Sequence, residues 1–178
     1  GLGFPAGYAQ YLERAEAESR AGCRLPGGGW WFSGAGWMRP LGLIAAQRAA
    51  AGSLLTPHFG VAVHAIVRNG GNWQALAADG SLIAAAPVLV LANANDLTRL
   101  AGIAQTLRRI RGQISYVPAE NVKAPEVVLT GNGYVLPARD GLVVAGSTYD
   151  RDNDDPEPLL QSHESNLLRL AQLLPDAN

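Results

Sequence analysis

Hydrophobic and polar positions change period several times along this chain, and each change marks an element. The strongest β signal lies between residues 107 and 150. One run ends in Ile114-Ser115-Tyr116-Val117-Pro118, a second carries Val127-Val128-Leu129-Thr130 and Tyr134-Val135-Leu136, and a third is Leu142-Val143-Val144-Ala145. Asp140-Gly141 is a tight-turn dipeptide joining the last two. Three β-rich segments are predicted here, and a sheet of this kind can wall a ligand site. Upstream, residues 60–93 read as a meander. Residues 61–67 alternate, Asn69-Gly70-Gly71-Asn72 turns, residues 73–78 return, and Asp79-Gly80 turns again. Val88-Leu89-Val90-Leu91-Ala92 shows no alternation, which predicts a strand buried on both faces, as in a parallel sheet. Asn93 and Asn95 follow it, where ligands sit in open α/β sheets. They suit equally well the cap of a helix starting near Asp96.

Helical segments are predicted at three places. Residues 8–21 are helix-prone and end at Gly22, a natural C-cap. Residues 41–51 follow Pro40, which suits a first helical turn, and stop at Gly52. A last helix is expected over about 158–174, started by the acidic run from Asp152 to Glu157, with Leu160, Leu167, Leu170, Ala171 and Leu174 on its core face. His163 and Asn166 read as solvent-facing or packing residues. The aromatic strand containing Trp30 and Trp31 reads as core or interface packing.

Composition narrows the class. With 178 residues, 48% hydrophobic and 16% charged, the chain folds as one globular domain or parts of two. A net charge of −1 argues against a self-sufficient nucleic-acid binder. Cys23 is alone, so no internal disulfide forms and a reducing compartment is the simpler reading. The longest apolar run, residues 82–92, is too short to span a bilayer and contains Pro87. The chain opens at Gly1, has its only methionine at Met38 and stops just after a helix, so a piece of a longer protein is expected.

The chemical inventory is mostly negative. Gly1-Leu2-Gly3-Phe4-Pro5-Ala6 has the letters of a dinucleotide-binding loop, but no strand precedes it and Pro5 lies inside it. The chain contains no nucleophile elbow, phosphate loop or cysteine pair, and His58, His64 and His163 share no ligand spacing, so no metal site is expected. His64 reads as a structural imidazole. Any difficult chemistry would come from a cofactor.

The order of motifs carries a resemblance. Gly34-Ala35-Gly36-Trp37 with Pro40, Gly60-Val61-Ala62-Val63 with Ile66, the 88–93 run, Ile110-Arg111-Gly112-Gln113 and Gly131-Asn132-Gly133-Tyr134 succeed one another. Together they resemble the flavin-dependent amine oxidases of the D-amino-acid-oxidase and glycine-oxidase superfamily. Residues 133–138, 146–151 and 163–170 are most similar to the C-terminal oxidase domain of the bifunctional enzymes that build 5-methylaminomethyl-2-thiouridine in tRNA.

The resemblance implies an α+β fold. A largely antiparallel substrate-side sheet with flanking helices (residues 1–33 and 99–178) would accompany part of an FAD-binding α/β layer (residues 34–98), without the N-terminal Rossmann βαβ unit. It implies FAD-dependent removal of the carboxymethyl group from 5-carboxymethylaminomethyl-2-thiouridine at the tRNA wobble position, in the cytoplasm. Hydride would pass from the glycine-like methylene to the flavin, and water would release glyoxylate. A fused or partner SAM-dependent methyltransferase domain is implied, with no membrane and no metal. By motif, Val63, Ala92 and Asn93 would lie along the cofactor's nucleotide part, and Arg111, Gly112 and Gln113 near its ring system. Tyr134, Tyr149 and Arg111 are the implied catalytic or substrate-wall residues, and for both tyrosines plain strand-face packing stays open. The pattern departs from the family at Asn93-Ala94 and at Asp152, where glycine is usual. The fragment alone is therefore expected to hold FAD poorly and to be inactive. Two other readings stay open, a glycine, sarcosine or D-amino-acid oxidase and a non-catalytic binding fragment.

Overall fold

The computed structural model describes residues 5, 7–102, 108–151, 153 and 155–177. Most of the Gly1–Ala6 letter match, the start of the 107–118 run, Asp152 and Asp154 therefore lie outside the described residues, as does the Asn95 side chain. In chain order the elements are β1 (Gln10–Leu12), α1 (Arg14–Ala21), β2 (Gly29–Trp31), α2 (Pro40–Ala51), β3 (Ala65–Asn69), β4 (Asn72–Leu76), β5 (Leu82–Ala86) and α3 (Leu97–Ala101). Then come β6 (Ile110–Arg111), β7 (Ile114–Pro118), β8 (Leu129–Gly131), β9 (Gly133–Val135), β10 (Leu142–Gly146), β11 (Asp150–Arg151) and α4 (Leu160–Leu173). Two compact units result: Gly1–Pro40 with Ile110–Asn178, called here the sheet unit, and Leu41–Arg109, the meander unit. Their boundaries fall at 40/41 and 109/110.

The sheet unit is organised by an antiparallel sheet of order β7-β10-β9-β8. Alternation sends Ser115, Val143, Ala145, Val135 and Leu129 to one face, where α4 packs with Leu170 and Leu174. Ala21, Cys23, Leu25 and Val122 complete this core. Burial raises the Cys23 thiol pKa. The other face of the sheet carries Ile114, Tyr116, Leu142 and Tyr134 and is not covered by α4. Gly133 has φ of 121°, and an added Cβ would come within 2.6 Å of the Gly146 carbonyl oxygen, so only glycine fits there.

Several sequence expectations are corrected here. Residues 10–12 form β1 and pair with β2 in place of the first turns of a helix. The pairing buries Leu12, and that non-local contact overrides helix propensity. Helix α1 begins only at Arg14 and ends as expected at Gly22, which is left-handed and donates its N–H to Glu18 O at 2.9 Å. Helix α4 begins at Leu160, not 158, and no side chain caps it. Asn153 and Asp155 instead accept from the backbone N–H two residues on, closing turns before the helix. Its inward face is also different: Leu160, Leu167 and Leu168 are exposed, while Ser162 and Asn166 are buried with Leu170.

The meander unit contains the antiparallel sheet β3-β4-β5, with turns at Gly70-Gly71 and Gly80 as expected. Strand β3 starts at Ala65, so residues 61–64 are not strand and His64 is exposed. The 88–92 run is not a strand either, and Val88 and Val90 are 74% and 82% exposed. An unalternating apolar run becomes a doubly buried strand only when neighbours complete the ladder on both sides. Among the described residues none pairs with it. No described helix is long and apolar enough to cross a membrane.

Candidate functional site

Arg111, Gly112, Gln113, Tyr134 and Tyr149 belong to the sheet unit; Val63, Ala92 and Asn93 belong to the meander unit. In the sheet unit, two neighbouring features emerge. The first is the uncovered face of the sheet. Tyr134 pairs across the strands with Gly146 on β10 and Thr130 on β8. A Cβ built on Gly146 would lie 3.0 Å from Ile114 Cγ2 and 3.3 Å from Tyr134 Oη. The missing side chain thus lets the tyrosine ring lie over the strand, beside Ile114. The phenol is half-buried, and its hydroxyl lies at the end of the sheet where β7 begins and β10 ends.

The second feature is a polar seam between that end of the sheet and α4. Arg111 and Asp150 pair across β6 and β11, and their side chains form an ion pair at 3.1 Å. Gln113 is fixed on every polar group it has. Its N–H donates to Thr148 Oγ1 at 3.0 Å, and its carbonyl accepts from Thr148 N–H and from Asn166 Nδ2. Its Nε2 donates to the Leu159 carbonyl at 2.9 Å, while its Oε1 accepts the Leu159 N–H at 2.8 Å. Asn166 is fully buried and also donates to Ser115 Oγ at 3.2 Å; its own oxygen accepts from Arg169. Ser115 Oγ lies 2.9 Å from His163 Nδ1. Every member of the seam therefore has a partner, as buried polar groups require. Tyr149 is 62% exposed and lines a polar hollow of about 580 Å³ with Arg151, Gln161 and Ser165.

The sequence pattern does not mark Thr148, Asp150 or Ser162 as site residues, and it offers Asn166 only as a solvent-facing or packing residue. The available signal was the i, i+4 spacing of Ser162 and Asn166 on the helical face that continues at Leu170.

In the meander unit, Arg99 gathers two of the sequence-derived positions. Its Nη1 donates to the His64 carbonyl at 2.9 Å and its Nη2 to the Val63 carbonyl at 3.2 Å. It also forms a bidentate pair with Asp96, which holds that carboxyl below its ordinary pKa. The backbone at Val63 is thereby tied to the turn that follows Asn93. Ala92 is exposed. At Asn93 the amide nitrogen and oxygen are both buried, and neither has a partner among the described residues. Next to it Ala94 is left-handed, with φ of 47°, a conformation that costs a non-glycine residue about 1–2 kcal/mol.

The sequence profile of the FAD dependent oxidoreductase family matches residues 3–178. The chain belongs to that family. Members use FAD, and an amide whose NH2 group and carbonyl oxygen both lack a partner among the described residues fits a ligand hydroxyl such as those of the FAD ribitol or ribose. Among curated relatives, the tRNA 5-methylaminomethyl-2-thiouridine biosynthesis bifunctional protein MnmC of Paraburkholderia phytofirmans is 42% identical over 176 residues. The protein of the same name from Ralstonia nicotianae is 40% identical over 181 residues. Each match covers 98% of this chain but only 27% and 28% of the relative, so the chain spans about a quarter of their length. Among solved structures, glycine oxidase from Geobacillus kaustophilus superposes with a TM-score of 0.78 at 22% identity, over 99% of this chain and 48% of that one. Glycine oxidase from Bacillus cereus gives 0.74 at 19%, over 94% and 48%. These structures support the mixed helix and antiparallel-sheet fold.

Proposed function

We propose that this chain is part of an FAD-dependent oxidoreductase of tRNA modification, removing the carboxymethyl group of 5-carboxymethylaminomethyl-2-thiouridine at the wobble position. The observation that carries this reading is about 40% identity over 98% of the chain to relatives named for that biosynthesis. When bound, FAD supplies the two-electron oxidation of the C–H bond next to nitrogen. The chain's own residues orient and shield. Tyr134, laid over Gly146 on the uncovered face, offers a ring edge and a hydroxyl to a planar substrate. Tyr149 walls the neighbouring polar hollow. The main chain at Gly112 and Gln113 approaches the cofactor's ring system, and Val63, Ala92 and Asn93 take its nucleotide part. The apolar neighbours Ile114 and Tyr116 exclude water from the reacting bond. tRNA is the partner, a fused or partner SAM-dependent methyltransferase domain accompanies the oxidoreductase, and the reaction is cytoplasmic.

The test is an assay of the intact protein with FAD and tRNA bearing the carboxymethylaminomethyl base. Glyoxylate and the aminomethyl base should form. Turnover of free glycine, sarcosine or D-amino acids in preference to the tRNA would replace this reading with that of an amino-acid oxidase.

A further inference from the structure

An arginine that holds a substrate carboxylate needs a free pair of N–H groups in its fork. Arg111 has none. Its Nε donates to the Asp155 carbonyl at 2.7 Å, and its Nη1 to Asp150 Oδ2 at 3.1 Å and Ser162 Oγ at 3.3 Å. Its Nη2 donates to Gln113 Oε1 at 2.7 Å and to the Glu157 carbonyl at 2.6 Å. These are all five donors of a guanidinium, and the side chain is only 10% exposed. Its partners come from four separate places: the neighbouring strand β11, the turn before α4, the first turn of α4, and the residue two along its own chain.

We propose that Arg111 is a positioning residue that fixes the backbone corner at Gly112 by clasping β6, β11 and the start of α4, and that it makes no contact with substrate. Gly112 carries no side chain and is exposed, so its position is inherited from its two neighbours, Arg111 on one side and the equally anchored Gln113 on the other. Those two are joined to each other through Oε1 and to the same segment, residues 155–162. The clasp therefore sets where the Gly112 main chain lies and where Thr148 to Arg151 runs beside it. This inference rests on the proposed function, in which that main chain approaches the flavin.

The experiment compares the intact FAD-bound protein with Arg111→Met, Arg111→Lys and Ser162→Ala. The last removes one acceptor and leaves the charge in place, so it reports even where Arg111→Met fails to fold. Arg111→Met should shift the absorption of bound flavin, weaken FAD binding by about tenfold and lower kcat by about tenfold, with KM for the modified tRNA within about threefold. Ser162→Ala should move the same readouts in the same direction by about two- to threefold. Arg111→Lys, which keeps the charge but not the fork, should fall between. A rise in KM of about tenfold with flavin absorption and affinity unchanged would mark Arg111 as a substrate contact and overturn the proposal. So would variants indistinguishable from wild type. If wild type binds FAD but leaves the tRNA unmodified, the functional reading falls, and the flavin absorption and affinity still decide the role of Arg111.

Discussion

Two asparagines, Asn166 in the sheet unit and Asn93 in the meander unit, have buried amides and opposite circumstances. Asn166 has each polar atom engaged, by Gln113, Ser115 and Arg169. Asn93 has neither engaged among the described residues, and a strained Ala94 follows it. The first is a finished joint. The second is a group whose desolvation is compensated by nothing described in its own unit. A buried amide is stabilising when paired and destabilising when not, so the same side chain is a structural joint in one place and, in the other, suits the cofactor contact proposed for it.

The largest effect expected from this contrast is on folding. Asn166→Ala removes one of the two bonds to the Gln113 carbonyl and those to Ser115 and Arg169, and leaves a void under the sheet, and should cost about 2–3 kcal/mol in chemical unfolding of the intact protein. Asn93→Ala should leave flavin-free stability unchanged or raise it by up to about 1 kcal/mol, because it removes an unsatisfied group. It should weaken FAD binding by about tenfold in a titration followed by flavin fluorescence. Equal losses of stability from the two substitutions would erase the distinction drawn here.

The smallest effect concerns acid. The Leu25 N–H bond to Glu18, and then Arg14 beside it, hold the Glu18 carboxyl below its ordinary pKa. A carboxyl depressed in the folded state contributes stability above its unfolded pKa, of about 4.3, and loses it as pH falls through the folded value. Thermal unfolding of Glu18→Gln should therefore fall less steeply than wild type below about pH 4. An unchanged acid slope would show that this contact adds nothing to the sheet unit.

What the sequence made legible was local. Gly22, Pro40 and Gly52 act through their own backbone preferences, and α1 and α2 end or begin at them. What it hid was set at a distance. Residues 10–12 become a strand because of residues 29–31, and nothing in their own pattern says so. The face of α4 was misread because hydropathy counts Ser162 and Asn166 as outward, whereas partners about fifty positions away make them inward. The 88–92 run was misread for the converse reason: its apolar pattern asks for neighbours that the described residues do not provide. At the candidate site, the motif around Gly133-Tyr134 located the tyrosine. Its support by Gly146 needs the cross-strand register, which a sequence does not print.

Gln113 and Leu159 bond amide to amide in both directions, so a side chain here imitates one rung of a strand ladder. Such a rung reads chemical polarity with single-atom resolution. Deamidation would keep the shape and place an oxygen against the Leu159 carbonyl, replacing attraction with repulsion at the point where the helix is docked.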